Sequence, residues 1–146
     1  MMRKYAYLII LIAFILLYIN TLPEKGQEIK VLIDGTEFRL SVANNDEKKM
    51  KGLANIRNLN DHEGMLFSYN EKGIRHFWMK DVLIPLQILF IKDCEIVEIQ
   101  EMKVEDNPSN PKKTYSSSSN VDQAIELKAF SVSNEVIGQT IEELCE

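Results

Sequence analysis

Cysteine, histidine and tryptophan are scarce in this sequence of 146 residues, which has two cysteines, two histidines and one tryptophan. Their spacing matches no zinc site, and no Cys-x-x-Cys motif is present to activate a thiolate. Basic residues are outnumbered, because 17 Lys and Arg against 22 Asp and Glu give a net charge of −5. This balance argues against a nucleic-acid partner. The length is that of one domain and excludes a propeller, an eight-fold strand-helix barrel or a two-domain cofactor enzyme.

The charges that are present are unevenly distributed. Residues 5–19 carry no charge, residues 21–80 have a net charge of +1, and residues 81–146 have a net charge of −8. The second half of the chain would therefore repel DNA and an anionic lipid surface.

The uncharged run near the amino terminus predicts a membrane segment. Arg3 and Lys4 precede it and the next basic residue is Lys25, so the positive-inside rule places the amino terminus in the cytoplasm. We predict a signal anchor over residues 1–23 that spans the cell membrane through residues 5–22, a linker over 24–28 and an exported domain over 29–146. A cleaved signal peptide is the alternative, although the flank contains no A-x-A pattern. A buried core helix is the third interpretation.

The predicted topology can be tested with a fusion. A reporter that is active only after export, joined after Glu146, should be active, because the charges flanking the run place the domain outside the cytoplasm. Reporter assays in cells measure this directly. A signal only from a reporter that works in the cytoplasm would contradict the predicted localisation.

Alternating apolar residues predict a mainly β domain, built as a compact antiparallel sandwich or partial barrel with one or two short helices. Asp34-Gly35 predicts the two-residue turn of a hairpin, because both residues readily adopt the positive φ angles that such a turn needs. A second turn is expected at Asp93-Cys94. The predicted strands lie at residues 29–33, 36–42, 64–67, 74–79, 84–91, 95–102 and 124–129, and residues 103–120 are predicted to form a loop.

A short helix is expected between the second and third predicted strands. An asparagine cap followed by acidic residues at positions 44–47 indicates its start. The helix is predicted to end near Gly52 or Asn55, with Met50 and Leu53 on its inward face.

The two cysteines leave the disulfide question open. Cys94 lies in a predicted turn and Cys145 is the penultimate residue. In an exported domain the two could pair, but terminal residues are often mobile, and sequence alone cannot place them within bridging distance.

Four short motifs carry a resemblance to a known family. In their order and spacing they resemble the family known as domain of unknown function 192, over roughly residues 30–142. The resemblance implies a compact, mainly β domain, often exported behind a signal or anchor, and it implies no reaction. The motifs are Lys51-Gly52-Leu53, Gly64-Met65-Leu66-Phe67, Phe77-Trp78-Met79-Lys80-Asp81 and residues 84–91, and the chain departs from the family pattern at Ala54, Ile56, Asp81-Val82, Gln87 and Gln139.

Polar residues around the tryptophan form the predicted ligand-binding site, which comprises Trp78, Lys80, Asp81, Gln87 and Glu126. Trp78 and Lys80 share one strand face, and Gln87 lies in an otherwise apolar strand. We expect the Lys80 ammonium to lie near Asp81 or Gln87 at the edge of a pocket floored by Trp78. The alternative interpretation is a structural polar network that fixes the strand register.

Three classes of function remain open. The first is a non-catalytic module that binds a small molecule, a glycan or an envelope protein, without cofactor or metal. The second is a hydrolase-type enzyme that uses Lys80, Asp81 and Glu126, whose side chains would then surround one open cleft with perturbed pKa values. The third is a copper protein, because thioether and imidazole groups bind Cu(I), although methionines in apolar runs are more often core residues. Its candidate ligands are His62, Met65, His76 and Met79.

Overall fold

A computed structural model describes residues 11–15 and 26–145. Residues 11–15 are helical, and the rest of the predicted signal anchor and membrane segment lies outside the described residues. Within the described part of the chain, no helix is long and apolar enough to cross a membrane. The elements are β1 (Glu28–Ile33), β2 (Thr36–Ala43), α1 (Asp46–Lys51), β3 (Glu63–Gly73), β4 (His76–Trp78), β5 (Leu86–Lys92), β6 (Glu95–Met102), β7 (Thr114–Ser116), β8 (Val121–Lys128) and two 3-10 turns, Asn134–Val136 and Glu142–Leu144.

Six strands form one mixed sheet in the order β1-β2-β3-β8-β5-β6, and β4 pairs with β7 in a separate two-stranded sheet. β2 and β3 are parallel, whereas the other neighbouring pairs are antiparallel. The mainly β prediction is therefore confirmed, but the main sheet is not purely antiparallel and does not close into a barrel. The difference arises because the connection that contains α1 returns the chain to the end of the sheet where β2 began, as a parallel pair requires.

The turns follow the sequence pattern. Asp34 and Gly35 have φ angles of 50° and 70°, and Asp93 and Cys94 have φ angles of 50° and 66°. Positive φ at both central residues gives a turn whose twist matches that of the flanking strands. Both predicted hairpin turns are confirmed.

Helix α1 begins and ends with the expected caps. The Asn45 side chain accepts a hydrogen bond from the Lys48 backbone N–H at 2.9 Å, and Gly52 ends the helix with a φ of 48°. Leu53 is buried as predicted, but Met50 is 75% exposed. The prediction that Met50 and Leu53 share the inward face of the helix is wrong. The helix ends at Gly52, so the two residues do not belong to one helix surface.

The largest differences from the predicted strand bounds lie in two places. β3 continues to Gly73, and the region predicted as a strand over residues 74–79 contains only the three residues of β4. β7 lies inside the predicted loop, where the buried Tyr115 pairs with Phe77 of β4. A single aromatic residue among polar neighbours has no periodicity that would indicate a strand.

Apolar side chains cover both faces of the main sheet. Along β5, Leu89 and Ile91 belong to one core cluster, whereas Ile88 and Phe90 belong to the other. The first face is covered by the carboxyl-terminal segment, and the second by the connection after α1 together with β4 and β7. A polar side chain on either face of a central strand is consequently shielded from water.

A disulfide fastens the carboxyl-terminal segment to the sheet. Cys94 and Cys145 are bonded; their Cα atoms are 5.4 Å apart, and the two residues are 51 positions apart in the sequence. Beside the bond, the Ile141 backbone N–H donates to the Cys94 carbonyl at 2.8 Å. The structure thus answers the question that the sequence left open.

Gly64 on β3 is packed against the central strand β8. A Cβ atom at this position would overlap the Glu126 backbone oxygen and would lie 2.7 Å from Leu127 Cδ2. We expect Gly64→Ala to lower the free energy of unfolding by about 1–3 kcal/mol, because two paired strands would have to move apart. Urea denaturation followed by circular dichroism measures the change.

Gly73→Ala is the matched control on the same strand. Its added Cβ would make an ordinary 3.6 Å contact with the Arg75 side chain. An equal loss of stability in both variants would contradict the proposed close packing at Gly64.

Candidate functional site

Glu126 lies on the central strand β8 and points toward the second core cluster. Met65 of β3 and Ile88 of β5 are its direct neighbours across the sheet. The neighbouring residues Ile125 and Leu127 face the opposite cluster, so alternation along β8 places the carboxyl beside apolar side chains. Glu126 is 4% exposed.

Burial changes the protonation of this carboxyl. The surrounding apolar groups disfavour the charged form and raise the pKa of Glu126 to about 8. Its Oε2 atom is buried and has no hydrogen-bond partner. Near neutral pH the side chain is therefore a neutral acid with unused hydrogen-bonding capacity.

A pocket of about 430 Å³ has Glu126 among its lining residues. We call it the Glu126 pocket; Gly52, Phe67, Tyr69, Trp78, Lys80 and Glu126 contribute to its lining. A Cβ atom on Gly52 would lie 3.7 Å from Glu126 Oε2, so the missing side chain of the helix-terminating glycine leaves room above the acid. The volume is within the range of about 300–1,000 Å³ that small-molecule sites occupy.

Trp78 and Lys80 lie at the mouth of the Glu126 pocket. The sequence at positions 76–80 alternates between exposed and buried residues, so Phe77 and Met79 enter the core while Trp78 and Lys80 point outward. Trp78 is 51% exposed and is not a core residue. The Lys80 Nζ atom lies 5.6 Å from the Trp78 ring centroid, within the range of a cation-π contact.

The two other predicted site residues lie elsewhere. Gln87 is buried, and its side-chain nitrogen donates to Glu101 Oε1 at 2.7 Å and to the Val132 carbonyl at 2.9 Å. Its side-chain oxygen accepts from the Val132 N–H at 3.1 Å. These contacts support the alternative interpretation of Gln87, in which it belongs to a structural polar network that is closed to solvent.

Asp81 has a backbone role. Its φ angle is 56°, its N–H donates to the Pro108 carbonyl, and its carbonyl accepts from the Asn55 N–H, both at 2.8 Å. Asn and Asp adopt positive φ more readily than most other side chains, which suits an aspartate to this position. Among the described residues no ion pair joins Lys80 to Asp81, and the hydrogen bonds of Gln87 go to other partners.

Among the polar residues that line the Glu126 pocket, sequence reasoning did not include Lys49, Lys51 and Tyr69 in the predicted site. The two lysines could have been found from the run of basic residues in α1, which leads directly into the family motif at Gly52. Tyr69 lies on the part of β3 that was not predicted as strand, and burial raises the pKa of its hydroxyl.

The candidate copper ligands have other contacts. Met79 is fully buried and Met65 packs against the same core cluster. The His62 ring packs against Phe38, and His76 Nδ1 lies 2.7 Å from Ser116 Oγ. Among residues 11–15 and 26–145, no group of three or more His, Cys, Asp or Glu could hold a metal ion.

Comparison with known proteins identifies the family. The model of the DUF192 family, described as uncharacterized ACR, matches residues 29–141, and the chain belongs to this family. No curated protein matches the chain significantly.

Two crystal structures are similar to the chain. One is a protein from Sinorhizobium meliloti described as a candidate transcription regulator; it is 23% identical with a TM-score of 0.68, and the match covers 82% of this chain and 94% of that one. The other is a protein of unknown function from Novosphingobium aromaticivorans, 22% identical with a TM-score of 0.57, and the match covers 70% of this chain and 73% of that one. At these identities the likeness shows the fold alone.

The raised pKa of Glu126 predicts a pH-dependent stability. Below about pH 4.5 the carboxyl is protonated in both the folded and the unfolded chain. Between about 4.5 and 8 only the unfolded chain ionises there, so the folded state loses stability as the pH rises. Glutamine cannot ionise at this position. The free energy of unfolding of Glu126→Gln, relative to that of the wild type, should therefore rise by about 3 kcal/mol between pH 4.5 and pH 7.

Urea denaturation at several pH values measures this difference. Glu95→Gln is the control, because it removes a carboxylate that is exposed on β6. A constant difference between Glu126→Gln and the wild type across this pH range would mean that Glu126 is ionised in the folded protein.

Proposed function

We propose that the domain is a non-catalytic binding module that holds a small polar molecule with a ring, such as a sugar, in the Glu126 pocket. One observation carries the proposal: a buried acid with an unpartnered oxygen is among the residues that line an open pocket. An unpaired buried polar atom costs about 1–3 kcal/mol. A ligand that supplies the missing hydrogen bond recovers part of this free energy on binding.

The chemistry of the pocket favours a ligand with one apolar face. Trp78 offers an exposed aromatic surface at the mouth, on which the C–H face of a sugar or another flat ring can stack. Glu126, as a neutral acid, can donate one hydrogen bond and accept others at the base. Together they would orient a ring between an aromatic wall and a polar floor.

Export to an oxidising compartment remains part of the proposal. Arg3 and Lys4 before the uncharged run support this orientation. The Cys94–Cys145 disulfide supports it independently, because disulfides persist mainly outside the reducing cytoplasm. The domain would then meet ligands of the cell envelope or the medium.

The hydrolase-type alternative has one supporting observation. A carboxyl whose pKa is raised by burial and which faces an open pocket has the property that a general acid needs. Lys80 shares the pocket with Glu126, whereas Asp81 is not among its lining residues. Glu126→Gln distinguishes the two functions, since it would keep a hydrogen-bonding group for binding and would abolish proton transfer.

The proposed role of Trp78 is tested by truncation. Trp78→Ala should abolish the rise in melting temperature that galactose, N-acetylglucosamine, galacturonate or glucose 6-phosphate produces in the wild type. Because the side chain is half exposed, the change should cost less than about 2 kcal/mol of unfolding free energy, well below the loss of about 3–5 for a buried aromatic residue. Thermal and urea melts of the full chain in a nonionic detergent give both quantities.

Phe130→Ala is the matched control. Phe130 is an aromatic residue that is 83% exposed and does not line the Glu126 pocket. Its removal should leave the ligand-induced shifts unchanged. Two results would contradict the proposed stacking surface. One is a loss of unfolding free energy in Trp78→Ala as large as that for a buried aromatic residue. The other is a ligand-induced rise in melting temperature in this variant that equals the rise in the wild type.

A further inference from the structure

The lining of the Glu126 pocket contains three ammonium groups, those of Lys49, Lys51 and Lys80. Lys49 Nζ lies 4.4 Å from the Tyr69 ring centroid, and Lys80 lies over Trp78. Within the described part of the chain, none of the three forms an ion pair with a carboxylate. Their charge is thus available to a ligand.

The charge of the Glu126 pocket is opposite in sign to the net charge of the whole protein. Besides the three lysines, Asp46 is the charged residue of the lining, because Glu126 is neutral there. The pocket therefore has a charge of about +2 near neutral pH, on a chain whose net charge is −5. A concave site with a concentrated charge of one sign attracts ligands of the opposite sign.

We propose that the Glu126 pocket binds a small organic anion, a molecule with one carboxylate or phosphate group and at least one further oxygen. The acidic group lies among the ammonium groups of Lys49, Lys51 and Lys80, and the further oxygen accepts a hydrogen bond from Glu126. This inference rests on the proposed small-molecule binding and adds the charge of the ligand.

The position of Glu126 makes its neutral form part of this recognition. An ionised carboxylate at the base would have no hydrogen to donate and would repel the anion. The other titratable or charged groups that face the pocket are Asp46, Lys49 and Lys51 from α1 and its end, Tyr69 from β3, His76 from β4, and Lys80. Affinity for the anion should therefore fall as the pH rises through about 8, where Glu126 ionises.

Trp78 provides the readout for the test, because it is the single tryptophan of the chain. The full chain is kept in a polyoxyethylene detergent, which has no sugar headgroup to compete. Galacturonate is compared with galactose, and glucose 6-phosphate with glucose, by titrating the Trp78 fluorescence at pH 7 and pH 9. We expect at least one anion to bind tenfold or more tightly than its neutral partner at pH 7, and this preference to shrink at pH 9.

Two triple variants with equal changes of net charge assign the preference to the pocket. Lys49→Gln, Lys51→Gln and Lys80→Gln together should reduce the affinity for the anion to that for the neutral sugar. The control replaces Lys92, Lys103 and Lys112, which are exposed and do not line the pocket, with glutamine and should keep the preference.

The outcomes separate the two proposals. Equal binding of an anion and its neutral partner, or an equal loss of preference in both triple variants, overturns the assignment of an anion and leaves small-molecule binding in place. No fluorescence change with any of the four probes, together with no thermal shift, overturns both. A preference for phosphate over carboxylate, or the reverse, identifies which acidic group the lysines select.

Discussion

The burial of one carboxyl in the middle of the sheet constrains the structure around it. Glu126 extends from the central strand into a face that is otherwise apolar, where an ionised group would be costly. The side chain remains neutral there, and one of its oxygens lacks a partner inside the protein. Gly52 lies close to this oxygen, because a Cβ atom at that position would be 3.7 Å from Oε2.

The family motifs converge on this position although they are distant in sequence. Gly52 ends α1 and leaves space over the carboxyl, and Gly64 allows β3 to approach the backbone of Glu126. Phe67 lines the pocket and stacks edge-on with Phe77 at a centroid distance of 5.0 Å, while Trp78 turns to the mouth. Motifs that look unrelated along the chain thus form parts of one environment around β8.

The features that were predictable from sequence are those with a local cause. The turns at Asp34-Gly35 and Asp93-Cys94 follow from residues that tolerate positive φ, and the start of α1 follows from an asparagine cap. The exposure of Trp78 also follows from the alternation at positions 76–80. These signals lie within a few residues of the structure that they determine.

The features that could not be predicted depend on which strands become neighbours. The alternation of Glu126 with Ile125 indicates a half-buried strand with the glutamate in water, but a second apolar layer covers that face. Gln87 was expected beside Lys80, yet its partners are Glu101 and Val132, which the chain reaches 14 and 45 positions later. Such partners are set by tertiary packing, which one sequence does not reveal.

The strand order also has a consequence for how the chain can fold. β8 lies between β3 and β5, although it is the last strand of the described chain. Until it is inserted, β1-β2-β3 and β5-β6 are separate half-sheets, and each exposes an unpaired edge that could join with another molecule. The sheet therefore cannot be completed strand by strand as the chain emerges during synthesis. It closes in one late step, when β8 is inserted between β3 and β5.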